Sequence, residues 1–249
     1  FLFGQKHPYP NDMFTAQMVR AYDHLTDMGI PKENIIVMTP NGSYSIDPTG
    51  RFYPTSADNL EKAMNSQDFS STGSEENLKK ALSHMAEKVD GNDSFMLYLI
   101  GHGLSPDKTN SFIGLKNGSD KLHDHELAEY TKGIKGGKEL YYIGACQSGG
   151  FADKLCRGND IAISSSEAKQ NSIGVSDGSA LGHYFLKRLK NKDELKYCSP
   201  SDVKACLADG KNDFEKERGG GSGKMDDALR RQNPQFGYNG SVSGVKWVA

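Results

Sequence analysis

A chain of 249 residues can hold one large α/β domain or two small ones. Its 36% hydrophobic, 25% charged and 9% aromatic residues describe a packed core and exclude a disordered polymer. With 30 basic and 32 acidic residues the net charge is −2, so there is no basic field to hold nucleic acid.

The elements alternate strand and helix along most of the chain. "FLFG" (1–4) reads as a strand end. It carries no Met and starts inside a strand, which points to a processed or trimmed product, in which any targeting segment would be invisible. "NDMFTAQMVRAYDHLTDMG" puts Phe14, Met18, Tyr22 and Leu25 on one helical face, with Asn11 as N-cap and Gly29 then Pro31 as the stop. "NIIVM" (34–38) is a short apolar run, as in a strand buried on both faces. Residues 40–73 are rich in Gly, Pro, Asn and Ser and read as a long functional or mobile loop. Ser74 opens a helix with Leu78, Leu82, Met85 and Val89 inward. "FMLYLI" (95–100), "SFIGL" (111–115), "ELYYIGA" (139–145) and "DIAISSS" (160–166) read as strands, with a helix near 123–134 and another in "GSALGHYFLKRLK".

From about 199 to 233 the chain turns loop-rich: "SPSDVKACLADG" is a short helix, and "KNDFEKERGGGSGK" is charged, then Gly-rich. "VSGVKWV" alternates like an edge strand. Repeated βα units imply a single domain over 1–249, with a mainly parallel sheet covered by helices on both faces. No apolar stretch nears the roughly 20 residues of a membrane span, and mean hydropathy is −0.63. Cys146, Cys156, Cys198 and Cys206 show no zinc spacing. "CSPSDVKAC" could close a disulfide or leave two thiols, so the compartment stays open, with extracytoplasmic or secreted placed ahead of cytoplasmic.

Ligands of such sheets sit beyond the carboxyl ends of the strands. Two strands here end in chemistry. "FMLYLIGHG" leaves His102 between two glycines, and "ELYYIGACQSGG" puts Cys146 among small residues where a substrate backbone can approach. A thiol needs a base to become a good nucleophile near neutral pH, and an imidazole on an adjacent strand end would supply one.

These two motifs together resemble the His-Gly and Ala-Cys-x-Ser-Gly signatures of the caspase-like (clan CD) cysteine peptidases. The legumain branch is the nearest, and "MGIPKENIIVM" resembles its helix-to-strand junction. The resemblance spans roughly residues 9–190 and implies a caspase-like three-layer α/β sandwich. It implies Cys146 as nucleophile, His102 as general base and acid, and the N–H groups of Gly103 and Cys146 as oxyanion hole. Asn11 matches the residue that orients the histidine, although a plain N-cap explains it equally.

The pocket for the residue before the cut departs from legumain. Met13 stands where the family has Arg, and Gly144 where it has Glu, while Asp177 matches the third, acidic member. A lone carboxylate favours a cationic side chain, so Lys or Arg is expected before the scissile bond, in place of Asn or Asp. Asp177 also reads as a turn residue in "SDG". Ser164, Ser165, Ser166 and Glu167 follow the next strand, in the segment that walls the same pocket in the superfamily. Glu167 is a second acidic candidate, or a solvated loop carboxylate.

The function expected is a cysteine endopeptidase with a protein or peptide substrate, no cofactor, no metal, no nucleic acid and no membrane span, as monomer or weak dimer. A zymogen that cuts its own loops at basic residues fits "KNDFEKERGGGSGK" and 40–73. Two alternatives stand beside it. A transpeptidase would release the same thioester to an amine, and an inactive binding module would keep only the scaffold. "HDH" (123–125) would point its imidazoles in different directions on a helix, against shared metal binding. "GGGSGK" lacks the spacing and preceding strand of a phosphate loop.

Overall fold

The computed structural model describes residues 2–4, 13–38, 73–115, 120–158 and 160–172, with shorter pieces at 174–175, 178–179, 182, 185–186, 234–238 and 241–244. The chain lays down β1 (Leu2–Gly4), α1 (Met13–Asp27), a 3-10 turn (Lys32–Asn34) and β2 (Val37–Met38). After them come α2 (Glu75–Lys88), β3 (Ser94–Ile100), β4 (Gly103–Leu104), β5 (Phe112–Leu115), β6 (Asp120–His123) and α3 (Asp124–Thr131). The remainder is β7 (Lys138–Gly144), α4 (Gly149–Leu155), β8 (Ile161–Ser164), β9 (Gly174–Val175), β10 (Gly178–Ser179), β11 (Gln235–Tyr238) and β12 (Ser241–Gly244).

The main sheet has seven strands in the order β12-β11-β8-β7-β3-β1-β2. The five from β2 to β8 run parallel, and β11 and β12 close one edge as an antiparallel pair. Side chains alternate across it as strand geometry requires. Tyr98, Ile100, Leu140, Tyr142, Ile161 and Ile163 face α1 in one apolar layer. Leu97, Leu99, Tyr141, Ile143 and Ala162 face α2, α3 and α4 in the other. Both faces are covered, which is why β3 and β7 read as unbroken apolar runs. This is the mainly parallel three-layer α/β sandwich the sequence implies.

The helices follow their patterns. Phe14, Met18, Tyr22 and Leu25 are all buried, and Gly29 ends α1 at φ +87°, where a side chain would be strained. Ser74 caps α2, its Oγ accepting from the Asn77 N–H at 3.3 Å. Leu78 and Leu82 are fully buried, each contributing about 1.5–3 kcal/mol.

One departure bears on the site. β4, β5 and β6 form a separate antiparallel sheet, so "SFIGL" does not join the main one. His123 ends β6 and caps α3, so it does not lie on the helix. Its ring therefore stands 5.4 Å from that of His125, contrary to the divergence expected on a helix. Among the described residues no three His, Cys, Asp or Glu gather as a metal site, and no helix is long and apolar enough to cross a membrane. All of the 40–73 loop but its last residue, the 199–233 segment, Cys198 and Cys206 lie outside the described residues.

At the amino end of β7, away from Cys146, Glu139, Tyr141, Arg157 and Asp160 gather in a half-buried polar cluster. Tyr141 OH donates to Glu139 Oε2, Arg157 donates to Ala128 O at 2.9 Å and Thr131 Oγ1 at 3.1 Å, and its Nε lies 3.8 Å from Asp160 Oδ2. Burial pushes the Asp160 carboxyl up from 3.8 to about 7, the Glu139 charge adds to this and Arg157 opposes it. The folded state thus favours the protonated acid. That stabilisation is complete below the unfolded value and is lost as pH rises through about 7. Asp160→Asn should flatten the fall in thermal stability between pH 5 and 8 (about 2 kcal/mol, discounted because 15% of the side chain stays exposed). Parallel melting curves for the two proteins across that range would count against it.

Candidate active site

β3 and β7 pair over seven residues, from Ser94↔Lys138 to Ile100↔Gly144. Being parallel and in register, they deliver His102 and Cys146 to the same end of the sheet, each two residues past the last pair. The Gly101 N–H donates to Gly144 O at 3.2 Å and carries the pairing one step beyond the strands.

The two loops then touch. A Cβ on Gly103 would overlap the Cys146 carbonyl oxygen and come within 2.9 Å of Ala145 Cβ. Glycine at 103 is therefore what lets the histidine loop lie against the cysteine loop. His102 is exposed, with the Phe14 ring edge-on at 5.1 Å, so the start of α1 flanks it. Its carbonyl accepts from Gly114 N at 3.0 Å. Bonded and non-bonded pairs alternate in an antiparallel ladder. The Gly103↔Ile113 pair is next along, so the Gly103 N–H is directed away from β5.

Cys146 is half-buried and its thiol donates to Ser172 O at 3.7 Å. Burial pushes the thiol pKa up, and a backbone hydrogen bond with Ser172 opposes the shift. The resting sulfur is thus a thiol at neutral pH and needs a base. Gln147 turns the chain at φ +53°. Its N–H donates to Gln170 O at 2.7 Å, its O accepts from Ser111 Oγ at 2.6 Å, and its Oε1 accepts from Ser105 N at 2.9 Å. Lys169 Nζ donates to Ser105 O and Pro106 O at 2.8 and 2.7 Å, tying the loop after β8 to the histidine loop. Beneath them Asp124, fully buried, accepts from Ser111 N at 2.7 Å and Lys154 Nζ at 3.1 Å.

The other predicted site residues fall as follows. Ser164, Ser165 and Ser166 are fully buried and present no hydroxyl to solvent. Ser164 Oγ donates to Ser166 O at 3.0 Å, and the other two hydroxyls turn to Ala145. Gly144 is packed: a Cβ there would meet Ile100 Cγ2 at 2.9 Å and the Tyr142 ring at 3.0 Å. Met13 is the first residue of α1. Glu167 borders a cavity of about 570 Å³ with Lys108, Gly150 and Asp153, whose walls include neither Cys146 nor His102. Asn11 and Asp177 lie outside the described residues. Sequence reasoning missed the holding network of Ser105, Ser111, Asp124, Gln147 and Lys169. The one signal for it was a polar cluster after each apolar strand.

The sequence profile of the Peptidase C13 family matches residues 4–209. No curated protein sequence matches the chain. Among solved structures, 64 chains match. One is the crystal structure of protein GSU0716 from Geobacter sulfurreducens, with a TM-score of 0.53 and 14% identity over 84% of this chain and 87% of that one. At that identity the likeness is one of fold.

Proposed function

Because the chain belongs to the Peptidase C13 family, the legumain-type cysteine peptidases, we propose that it is an endopeptidase working through Cys146 and His102. The observation that carries the reading is the contact between the two strand-tip loops, with Gly103 pressed on the Cys146 carbonyl. In the proposed reaction His102 takes the Cys146 proton as sulfur attacks the peptide carbonyl. The N–H groups of Gly103 and Cys146 hold the resulting oxyanion. Collapse breaks the C–N bond, His102 gives its proton to the leaving amine, and a thioester remains on sulfur. Water, deprotonated by His102, attacks the thioester and releases the acid and the thiol.

The residue before the cut is proposed to be Lys or Arg. Met13 replaces the family's Arg, and the place of its Glu is taken by Gly144, over which Tyr142 and Ile100 close. That leaves Asp177 as the acid to meet a cation. Cleavage of a peptide library varied at that position, wild type beside Cys146→Ala, tests both claims. The expected profile favours Lys and Arg by about 10-fold or more over Asn, and vanishes in the variant. A clear Asn or Asp preference would overturn the specificity. Equal cleavage by Cys146→Ala would overturn the reaction.

A further inference from the structure

Three hydroxyls converge on one carbonyl. Ser148, Ser165 and Ser166 each donate to Ala145 O, at 2.8, 3.0 and 3.1 Å. None of the three residues is more than 1% exposed. Burial alone asks for one partner per carbonyl, and the oxygen has two lone pairs. Three donors exceed that need, so the arrangement fixes a direction as well as satisfying an acceptor.

The direction matters because of the peptide that follows. A trans peptide is planar, and its C=O and N–H point opposite ways. Holding the Ala145 carbonyl down toward the serines therefore turns the Cys146 N–H away from them. Among the described residues no acceptor takes that N–H. The Cys146 carbonyl lies against Gly103, whose own N–H is directed away from β5. Further bonds keep the serines in place: Ser164 Oγ to Ser166 O at 3.0 Å, and the Ser148 N–H to Ser166 Oγ at 3.5 Å.

We infer that Ser148, Ser165 and Ser166 are positioning residues that aim the Cys146 N–H into the oxyanion hole. They touch no substrate and act through the Ala145–Cys146 peptide. The inference rests on the peptidase reading above. It gives the serine run after β8 a role beneath the nucleophile.

Steady-state kinetics on Ser165→Ala, Ser166→Ala and the double variant test it, alongside two probes of the same sulfur. A peptide aldehyde forms a hemithioacetal whose oxygen enters the oxyanion hole. Iodoacetamide alkylates the thiol without forming an oxyanion. Loss of a whole oxyanion donor costs about 10²–10³ in kcat. Misaiming one should cost about 5–10-fold in each single variant and about 10²-fold in the double, with KM within about 2-fold. Aldehyde affinity should fall in parallel with kcat, while the alkylation rate stays within about 2-fold of wild type.

A double variant with wild-type kcat overturns the inference. So does a loss of alkylation in step with kcat, which would mean that the serines merely hold the loop. Each single variant keeps two of the three donors and decides the matter if the double does not fold. A wild type inert to peptides and aldehyde alike would instead remove the peptidase reading, and the serines' role with it, before any serine is changed.

Discussion

His102→Ala is expected to lower kcat for peptide cleavage by about 10⁴–10⁶-fold, and Cys146→Ala to abolish it, with the fold intact in both. The size follows from the state of the sulfur. Burial pushes the Cys146 thiol pKa up, and among the described residues its thiol donates to the Ser172 carbonyl, which is no base. In the proposed reaction, proton removal falls to the imidazole across the β3–β7 junction. Neither change should unfold the protein: His102 is exposed, and Cys146 lies past the end of β7, outside both apolar layers. Single-turnover cleavage with circular dichroism on each variant is the check. A His102→Ala protein that cleaves within 10-fold of wild type (roughly a tenth of the smallest loss a general base implies) would leave the base unassigned.

Gly103→Ala should cost nearly as much through geometry alone. The added methyl would overlap a main-chain oxygen, Cys146 O, and crowd Ala145 Cβ. No flexible side-chain end is there to swing aside, so the two loops must part. Overpacking of this kind costs about 1–3 kcal/mol. A shift of about 1 Å between base, sulfur and oxyanion donors costs about 10²-fold in rate. The expected result is a kcat/KM loss of about 10²–10³-fold with a modest fall in melting temperature. Wild-type kcat/KM in Gly103→Ala would show that the contact between the loops is incidental.

How much of this was legible depended on range. α1, α2, β3 and β7 were readable because their signals are local: apolar residues three and four apart, caps at Ser74 and Gly29, and continuous apolar runs. Their tips were readable too, since Gly-His-Gly and Ala-Cys interrupt those runs abruptly. β4 is two residues long and β6 is "DKLH", so neither carries a hydrophobic pattern. They exist because β5 lies between them. β11, "QFGY", was not assigned as an element, since it too is short and carries no alternating pattern. Within the site, Cys146 and His102 stood out by residue type. Ser165 and Ser166 read as pocket wall, because nothing near them in sequence says that their hydroxyls reach back 20 and 21 residues to Ala145. Nothing local marks Lys169 either, because its two carbonyl partners lie more than 60 residues upstream.

The proposed nucleophile and base stand where two hydrogen-bonded units meet. Cys146 lies two residues past β7 in the middle of the parallel sheet, whereas the His102 main chain, two residues past β3, is also stitched to β5 in the small antiparallel one. Damage to the β5–β6 hairpin would therefore travel to the imidazole through Gly114, and to the cysteine loop through Ser111, whose hydroxyl donates to Gln147 O. Ile113, Leu115 and Leu122 of that hairpin are fully buried in the core, so the same injury would lower the melting temperature along with any turnover.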